Sequence, residues 1–97
     1  MMVAIVATLT AKEGHAEKLA EALIVASAAV RANEPGCLFY QATRSRSDSG
    51  VFKVLELYLS QAAFEAHRQT PHIQSLRAAF QEHLGTPPII ELLDAVG

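Results

Sequence analysis

The segment Met2–Thr10 constrains the fold most, because it is apolar at both of its alternating sets of positions. It is rich in aliphatic and β-branched residues, and it ends before Lys12 and Glu13, too short to span a membrane. A strand that is apolar on both sides is covered on both sides. The segment therefore predicts a strand with helices on one face and a second covering layer on the other.

Hydrophobic periodicity and turn residues divide the rest of the chain into six further elements. Apolar residues recur at helical spacing from Ala16 to Asn33, and Pro35 with Gly36 ends that helix. Ser60 is a candidate N-cap for a short helix. The predicted elements are, in order, the strand Met2–Thr10, the helix Ala16–Asn33, the strand Cys37–Arg44, the strand Val51–Leu59, the helix Gln61–Arg68, the helix Pro71–Leu84 and the strand Ile89–Val96.

This order of elements is the split βαβ, ferredoxin-like α+β arrangement, with its second helix broken in two. It predicts one domain over residues 1–97, with helices on one face of an antiparallel sheet. The other face of Val, Ile and Leu residues would be a large exposed apolar patch. A second copy of the chain covers such a face without new sequence, so we expect a homodimer packed sheet to sheet.

Charge and cysteine content exclude several classes of partner. The net charge is −2, from 8 Lys+Arg and 10 Asp+Glu, without the basic stripe that binds nucleic acid. The lone cysteine, Cys37, cannot form an internal disulfide, which fits a reducing compartment. The N-terminus lacks the basic region of a signal peptide. We expect a cytoplasmic protein that binds neither nucleic acid nor membrane.

Three segments resemble motifs of the antibiotic-biosynthesis-monooxygenase family. Glu34–Tyr40 is similar to its E-x-G-C-x-x-Y, Glu56–Tyr58 to its E-x-W/Y, and Ala63–His72 to its A-x-x-x-H-x-x-T-P-H. The resemblance covers nearly the whole chain and is specific for the family rather than for one activity. It implies a dimeric α+β barrel with a cavity between sheet and helices in each subunit.

The resemblance also implies a choice of activities. Several members of the family oxidise quinols or polycyclic phenols with O₂ and without metal or flavin, while others cleave haem or process small signalling metabolites. The haem-cleaving members resemble this chain poorly, because it has Ala7, His67 and Arg77 where they carry Asn, Trp and a ligating His. No glycine-rich nucleotide loop is present. We therefore expect no cofactor.

Glu56 is the most informative residue, because it shares a predicted buried strand face with Phe52, Val54 and Tyr58. A carboxyl on an apolar face must be paired, hydrogen-bonded or protonated. It is either a general base of raised pKa that removes a phenolic proton, or a partner for a buried His or Arg. Tyr58 either contacts an aromatic substrate or is a core aromatic.

His67 and His72 lie five residues apart at the junction of two predicted helices, a spacing that does not place two ligands on one helical face. We therefore expect no metal site. His67 is a candidate proton carrier or a residue that satisfies helix-end carbonyls. His72 is expected to cap and pack its helix. The residues assigned to catalysis are Glu56, His67 and Tyr58, and those assigned to substrate binding are Phe52, Phe64, His72, Arg77 and Phe80.

These residues predict a cofactor-independent monooxygenase that oxidises a quinol or hydroxylated aromatic molecule with O₂. One alternative is an isomerase or processing enzyme of a phosphorylated signalling metabolite, because the pair Glu56 and Tyr58, with Thr70–His72 and Leu84–Pro87, also resembles family members of that kind. That activity requires Lys53 or Arg44 to face the cavity. The other alternative is a dimeric ligand-binding protein without catalysis, in which neither Glu56 nor His67 titrates abnormally.

Overall fold

The computed structural model describes all residues from 1 to 97 and contains the seven predicted elements in the predicted order. The bounds of α1, β2 and α2 are those predicted, and the other elements begin or end within two residues of the prediction. The elements are β1 (Val3–Thr10), α1 (Ala16–Asn33), β2 (Cys37–Arg44), β3 (Val51–Tyr58), α2 (Gln61–Arg68), α3 (Pro71–His83) and β4 (Ile89–Asp94).

The four strands form one antiparallel sheet in the order β2-β3-β1-β4. β1 lies inside the sheet, where Ile5 faces Glu56 of β3 on one side and Leu92 of β4 on the other. The helices pack on one face of this sheet, which confirms the predicted ferredoxin-like α+β fold. No helix combines the length and apolar character that a membrane crossing needs.

The inner face of the sheet carries the core. Alternate residues of β1, from Val3 to Leu9, are buried. The second half of this set, Ala7 and Leu9, shares a core cluster with the α1 stripe that includes Leu19, Leu23 and Val30, whereas Val3 and Ile5 cluster with Phe64 of α2. The inner residues of β3, from Phe52 to Tyr58, are also buried. The period-two alternation therefore places Glu56 on the covered face, as predicted.

The outer face of the sheet carries apolar side chains that no helix covers. Leu55 of β3 faces Val6 of β1, and Leu57 lies opposite both Ala4 and Phe39. Leu55 is 37% exposed and Phe39 is 51% exposed. The predicted second apolar set of β1 is therefore only partly buried within one chain.

A hydroxyl cap begins each of the two short helices, and the second cap, Thr70, lies at the break between α2 and α3. The Ser60 hydroxyl accepts a hydrogen bond from the Ala63 amide at 3.1 Å, which confirms the predicted N-cap of α2. The Thr70 hydroxyl accepts from the Ile73 amide at 3.4 Å and donates to the His67 carbonyl at 2.8 Å. Pro71, which lacks an amide proton, begins α3. The break brings the end of α2 and the start of α3 together beside the loop that follows α1.

Gly36 lies in that loop and packs closely against α2. A Cβ atom at Gly36 would lie 2.8 Å from the Cβ of Ala63, closer than two carbon atoms can approach. The absence of a side chain at Gly36 therefore allows the loop to approach the helix that carries His67.

We predict that Gly36→Ala lowers the free energy of unfolding by about 1–3 kcal/mol, because the added methyl forces the loop and α2 apart. Urea denaturation measures the loss. Gly50→Ala is the matched control, since a Cβ there meets its nearest atom at 3.5 Å. Adding Ala63→Gly to Gly36→Ala should recover part of the loss. Equal stability of the Gly36→Ala and Gly50→Ala variants would contradict the close packing.

Candidate active site

A cavity of about 420 Å³ lies between the inner face of the sheet and helices α2 and α3. Eleven of its 17 lining residues are hydrophobic. Ile90 and Leu92 of β4 form one wall and remain 49% and 53% exposed, because no helix covers that strand. The volume and the apolar lining suit a small, largely apolar molecule.

Glu56 is a buried carboxyl in the lining of this cavity, only 9% exposed. Its Oε1 atom accepts a hydrogen bond from the Tyr58 hydroxyl at 2.6 Å, and Nε2 of His67 lies 3.8 Å from the same oxygen. Burial raises the pKa of Glu56 to about 7, against the lowering effect of the Tyr58 hydrogen bond, and the charge of Glu34 raises it further. The carboxyl therefore exchanges its proton near neutral pH.

Tyr58 lies behind Glu56 rather than in the cavity. It is fully buried, and its ring packs against Phe64 with centroids 5.3 Å apart. Burial and the neighbouring Glu56 raise the pKa of the Tyr58 phenol, so it remains a hydrogen-bond donor. Its observed contact is with the carboxyl of Glu56, which it holds in place.

Glu34 joins the site from the loop between α1 and β2. One of its carboxylate oxygens binds Nδ1 of His67 at 2.7 Å, and the other binds Nε2 of His72. The side chain of Glu34 is 9% exposed. Sequence reasoning missed this residue as part of the site, although it is the first residue of the motif Glu34–Tyr40 and both histidines belong to the motif Ala63–His72.

The pKa of His67 is lowered, because burial outweighs the opposing effect of its hydrogen bond to Glu34. His67 is therefore neutral at pH 7. Its ring packs against Tyr40 at 5.8 Å and Tyr58 at 5.0 Å between centroids. These contacts place one ring nitrogen on Glu34 and the other toward Glu56.

Two guanidinium groups lie among the cavity residues. Arg68 pairs with Glu65 at 3.6 Å, whereas Arg77 has no ion-pair or hydrogen-bond partner within the chain. No group of three or more His, Cys, Asp or Glu side chains is arranged to bind a metal ion. The site thus combines an apolar cavity, a titratable carboxyl, a neutral imidazole and an unpaired cation.

Comparison with known proteins places this chain in a family. Residues 2–79 match the sequence model of the antibiotic biosynthesis monooxygenases. The chain belongs to the antibiotic biosynthesis monooxygenase family. No curated protein matches it.

Solved structures agree with this assignment to the antibiotic biosynthesis monooxygenases. A candidate antibiotic biosynthesis monooxygenase from Caulobacter crescentus is 43% identical, with a TM-score of 0.94 over 99% of this chain and 91% of that chain. A protein from Pseudomonas aeruginosa is 32% identical, with a TM-score of 0.91 over 99% and 95% of the two chains. One from Mycobacterium tuberculosis is 27% identical, with a TM-score of 0.92 over 100% and 97%.

In this family member, five of the eight predicted site residues line the cavity. They are Glu56, Phe64, His67, Arg77 and Phe80.

The other three predicted residues lie elsewhere. Phe52 belongs to the main core at 3% exposure, because it faces Leu9 of β1 at the end of the sheet that α1 and α3 cover. Tyr58 supports Glu56 from behind. His72 neither lines the cavity nor caps α3, since the Thr70 hydroxyl is the cap and the His72 ring binds Glu34. Tyr40, whose burial was not predicted, lines the cavity.

We predict that the titration of Glu56 makes stability depend on pH. The unfolded carboxyl loses its proton near pH 4.5, whereas the folded protein keeps it up to about pH 7. The wild type should therefore lose about 3 kcal/mol of stability relative to Glu56→Gln as the pH rises through that window. The lowered pKa of His67 has the opposite effect, a gain of stability as the pH rises. This gain is present in both proteins and cancels in the comparison.

Urea denaturation between pH 4.5 and 8 measures this difference. Glu13→Gln is the matched control, since Glu13 is exposed and its substitution should leave the pH dependence of the wild type unchanged. A difference between the wild type and Glu56→Gln that stays constant over the whole range would show that Glu56 titrates normally.

Proposed function

We propose that this family member is a cofactor-independent monooxygenase that oxidises a quinol or hydroxylated aromatic molecule with O₂. The observation that carries the proposal is Glu56, a buried carboxyl with a pKa of about 7 in the lining of an apolar cavity. A general base is most effective when its pKa lies near the working pH. Its ionised form takes the proton of a phenolic hydroxyl that enters the cavity.

The substrate supplies the electrons. Deprotonation gives an electron-rich phenolate, which transfers an electron to O₂ and forms a substrate radical and superoxide. These combine at a ring carbon to form a peroxide anion, which takes the phenolic proton back from the base. Its O–O bond then breaks as the ring C–H proton is transferred to the departing hydroxide. One oxygen atom remains on the ring as a carbonyl and the other leaves as water. The protein contributes deprotonation, orientation and the exclusion of water.

Three lining side chains fit this chemistry. Phe64 and Phe80 offer aromatic surface to a planar substrate. Arg77, which lacks a partner within the chain, stabilises the negative charge that develops on the substrate oxygen. The mostly hydrophobic lining favours such a substrate over a strongly hydrated one.

The cationic groups of the alternative isomerase lie away from the cavity. Lys53 is exposed on the outer face of the sheet, opposite Thr8 and Thr43. Arg44 pairs with Glu17 at 2.9 Å and donates to the Ser49 carbonyl at 2.6 Å. Neither residue lines the cavity. The arrangement therefore favours the aromatic substrate over a phosphorylated one.

The oxidation is tested by O₂ uptake with menadiol under aerobic conditions. We predict uptake faster than the protein-free control and a rate that rises with pH through about 7, because the base must be ionised. Glu56→Gln should lower kcat by about 10²-fold or more, and Glu13→Gln should leave it unchanged. Uptake by the wild type no faster than the control, across a panel of such quinols, would contradict the proposal.

We also propose that the working unit is a homodimer in which the outer faces of two sheets pack together. The exposed apolar residues Phe39, Leu55 and Leu93 support this pairing, because a face of this kind is rarely left in contact with water. One self-complementary patch on each copy forms a two-fold interface. The cavity lies on the opposite face and stays accessible in such a dimer.

We predict that Leu55→Glu converts the dimer to a monomer, since it places a charge at the centre of the buried face. Sedimentation equilibrium measures the change in mass. Ile24→Glu is the matched control, because Ile24 is a similarly apolar residue that is 68% exposed on α1. A wild type that sediments as a monomer, or equal masses for the wild type and Leu55→Glu, would contradict the dimer.

A further inference from the structure

Glu34 is a buried carboxylate that binds a histidine from each of two helices. His67 comes from α2 and His72 from α3, and their side chains are 7% and 15% exposed. The loop that carries Glu34 is held against α2 by the close approach of Gly36 to Ala63. The carboxylate is therefore fixed by packing as well as by its two hydrogen bonds.

These hydrogen bonds determine which nitrogen of His67 carries the proton. An ionised carboxylate only accepts hydrogen bonds, so Nδ1 of His67 must donate to Glu34. In a neutral imidazole the other nitrogen then has a free lone pair. That nitrogen, Nε2, lies 3.8 Å from Oε1 of Glu56. The distance exceeds a direct hydrogen bond, and a small side-chain movement or one bridging water closes it.

We propose that Glu34 is a positioning residue, which holds His67 as the Nδ1–H tautomer so that Nε2 accepts the proton that Glu56 takes from the substrate. The inference rests on the proposed function, in which Glu56 is the base. The proton moves from the substrate hydroxyl to Glu56 and then to Nε2, and the imidazolium is stabilised by the Glu34 carboxylate. The proton then returns from Nε2 through Glu56 to the oxygen that leaves as water. Glu56 and His67 thereby regain their starting protonation states.

His72 supports the orientation of Glu34 rather than the transfer itself. It binds the second carboxylate oxygen, and its ring lies outside the cavity. Loss of this contact leaves the bond between Glu34 and His67 in place. Loss of the Glu34 charge, in contrast, removes the group that stabilises the imidazolium. Glu34 therefore offers a variant that disrupts the transfer, and His72 offers a control that does not.

The charged groups around His67 shift its pKa in opposite directions. Glu34 raises the pKa of His67, while the charges of His72 and Arg77 from α3 lower it. From β2 and β3, the pKa values of Cys37, Tyr40 and Tyr58 are raised, so these groups stay neutral near pH 7.

The remaining neighbours are the Glu65–Arg68 pair of α2 and the apolar residues of β1 and β4. The proposed transfer therefore uses only Glu56 and Nε2 of His67, while Glu34 holds His67 through Nδ1.

The tautomer is tested by ¹⁵N NMR of the histidine side chains of the wild type at pH 7 to 8. We expect Nδ1 of His67 to be protonated and Nε2 to be unprotonated. In Glu34→Gln the pKa of His67 should fall, because the neighbouring negative charge is lost. A wild-type His67 with its proton on Nε2 would overturn the proposal, and this measurement requires no substrate.

The role in turnover is tested by O₂ uptake with menadiol. Glu34→Gln should lower kcat by about 10²-fold with KM little changed, because the cavity lining is intact. His72→Gln should keep the wild-type tautomer of His67 and lose less than about tenfold in kcat. An unchanged kcat in Glu34→Gln beside an active wild type would overturn the proposal. A wild type without O₂ uptake refutes the proposed function instead, and the ¹⁵N tautomer then decides alone whether Glu34 positions His67.

Discussion

The burial of the Glu56 carboxyl is the constraint around which the site is built. A charged carboxylate is costly on an apolar sheet face, so the surrounding side chains must either share its proton or bind its oxygen atoms. Tyr58 donates a hydrogen bond to it from behind, and the neutral His67 faces it from α2. Burial raises the pKa of Glu56 to about 7, against the lowering effect of the Tyr58 hydrogen bond and with a further raising effect of the Glu34 charge. This pKa makes the Glu56 proton exchangeable near neutral pH at the wall of a mostly apolar cavity.

The interrupted second helix is what brings the imidazole to that carboxyl. A continuous helix would keep His67 and His72 on different faces, whereas the break at Thr70 and Pro71 directs both toward Glu34. The Thr70 hydroxyl satisfies both helix ends there, through the His67 carbonyl and the Ile73 amide, without using either imidazole. The same local structure therefore ends one helix, begins the next and orders a hydrogen-bond network.

The sequence predicts those parts of the structure that depend on local rules. Strand alternation places Glu56 on the covered face, and Pro35 with Gly36 marks the end of α1, because both follow from neighbouring residues. Glu34 escaped prediction since its partner His67 lies 33 residues away, and only the packed helices bring them together. The sequence also does not predict which aromatic residues line the cavity. Whether Phe52, Tyr58 or Tyr40 does so depends on where the packed helices leave the sheet uncovered.

The decisive property of the site is the pKa of the Glu56 carboxyl, which NMR measures without substrate. In protein labelled with ¹³C at the glutamate side chains, the Glu56 carboxyl is assigned by its loss in Glu56→Gln and followed from pH 4 to 9. A midpoint near 7 is the result that a buried, tyrosine-bound carboxyl requires. A midpoint near 4.5, the ordinary value for an exposed glutamate, would mean that the acid reaches bulk water and cannot serve as the base.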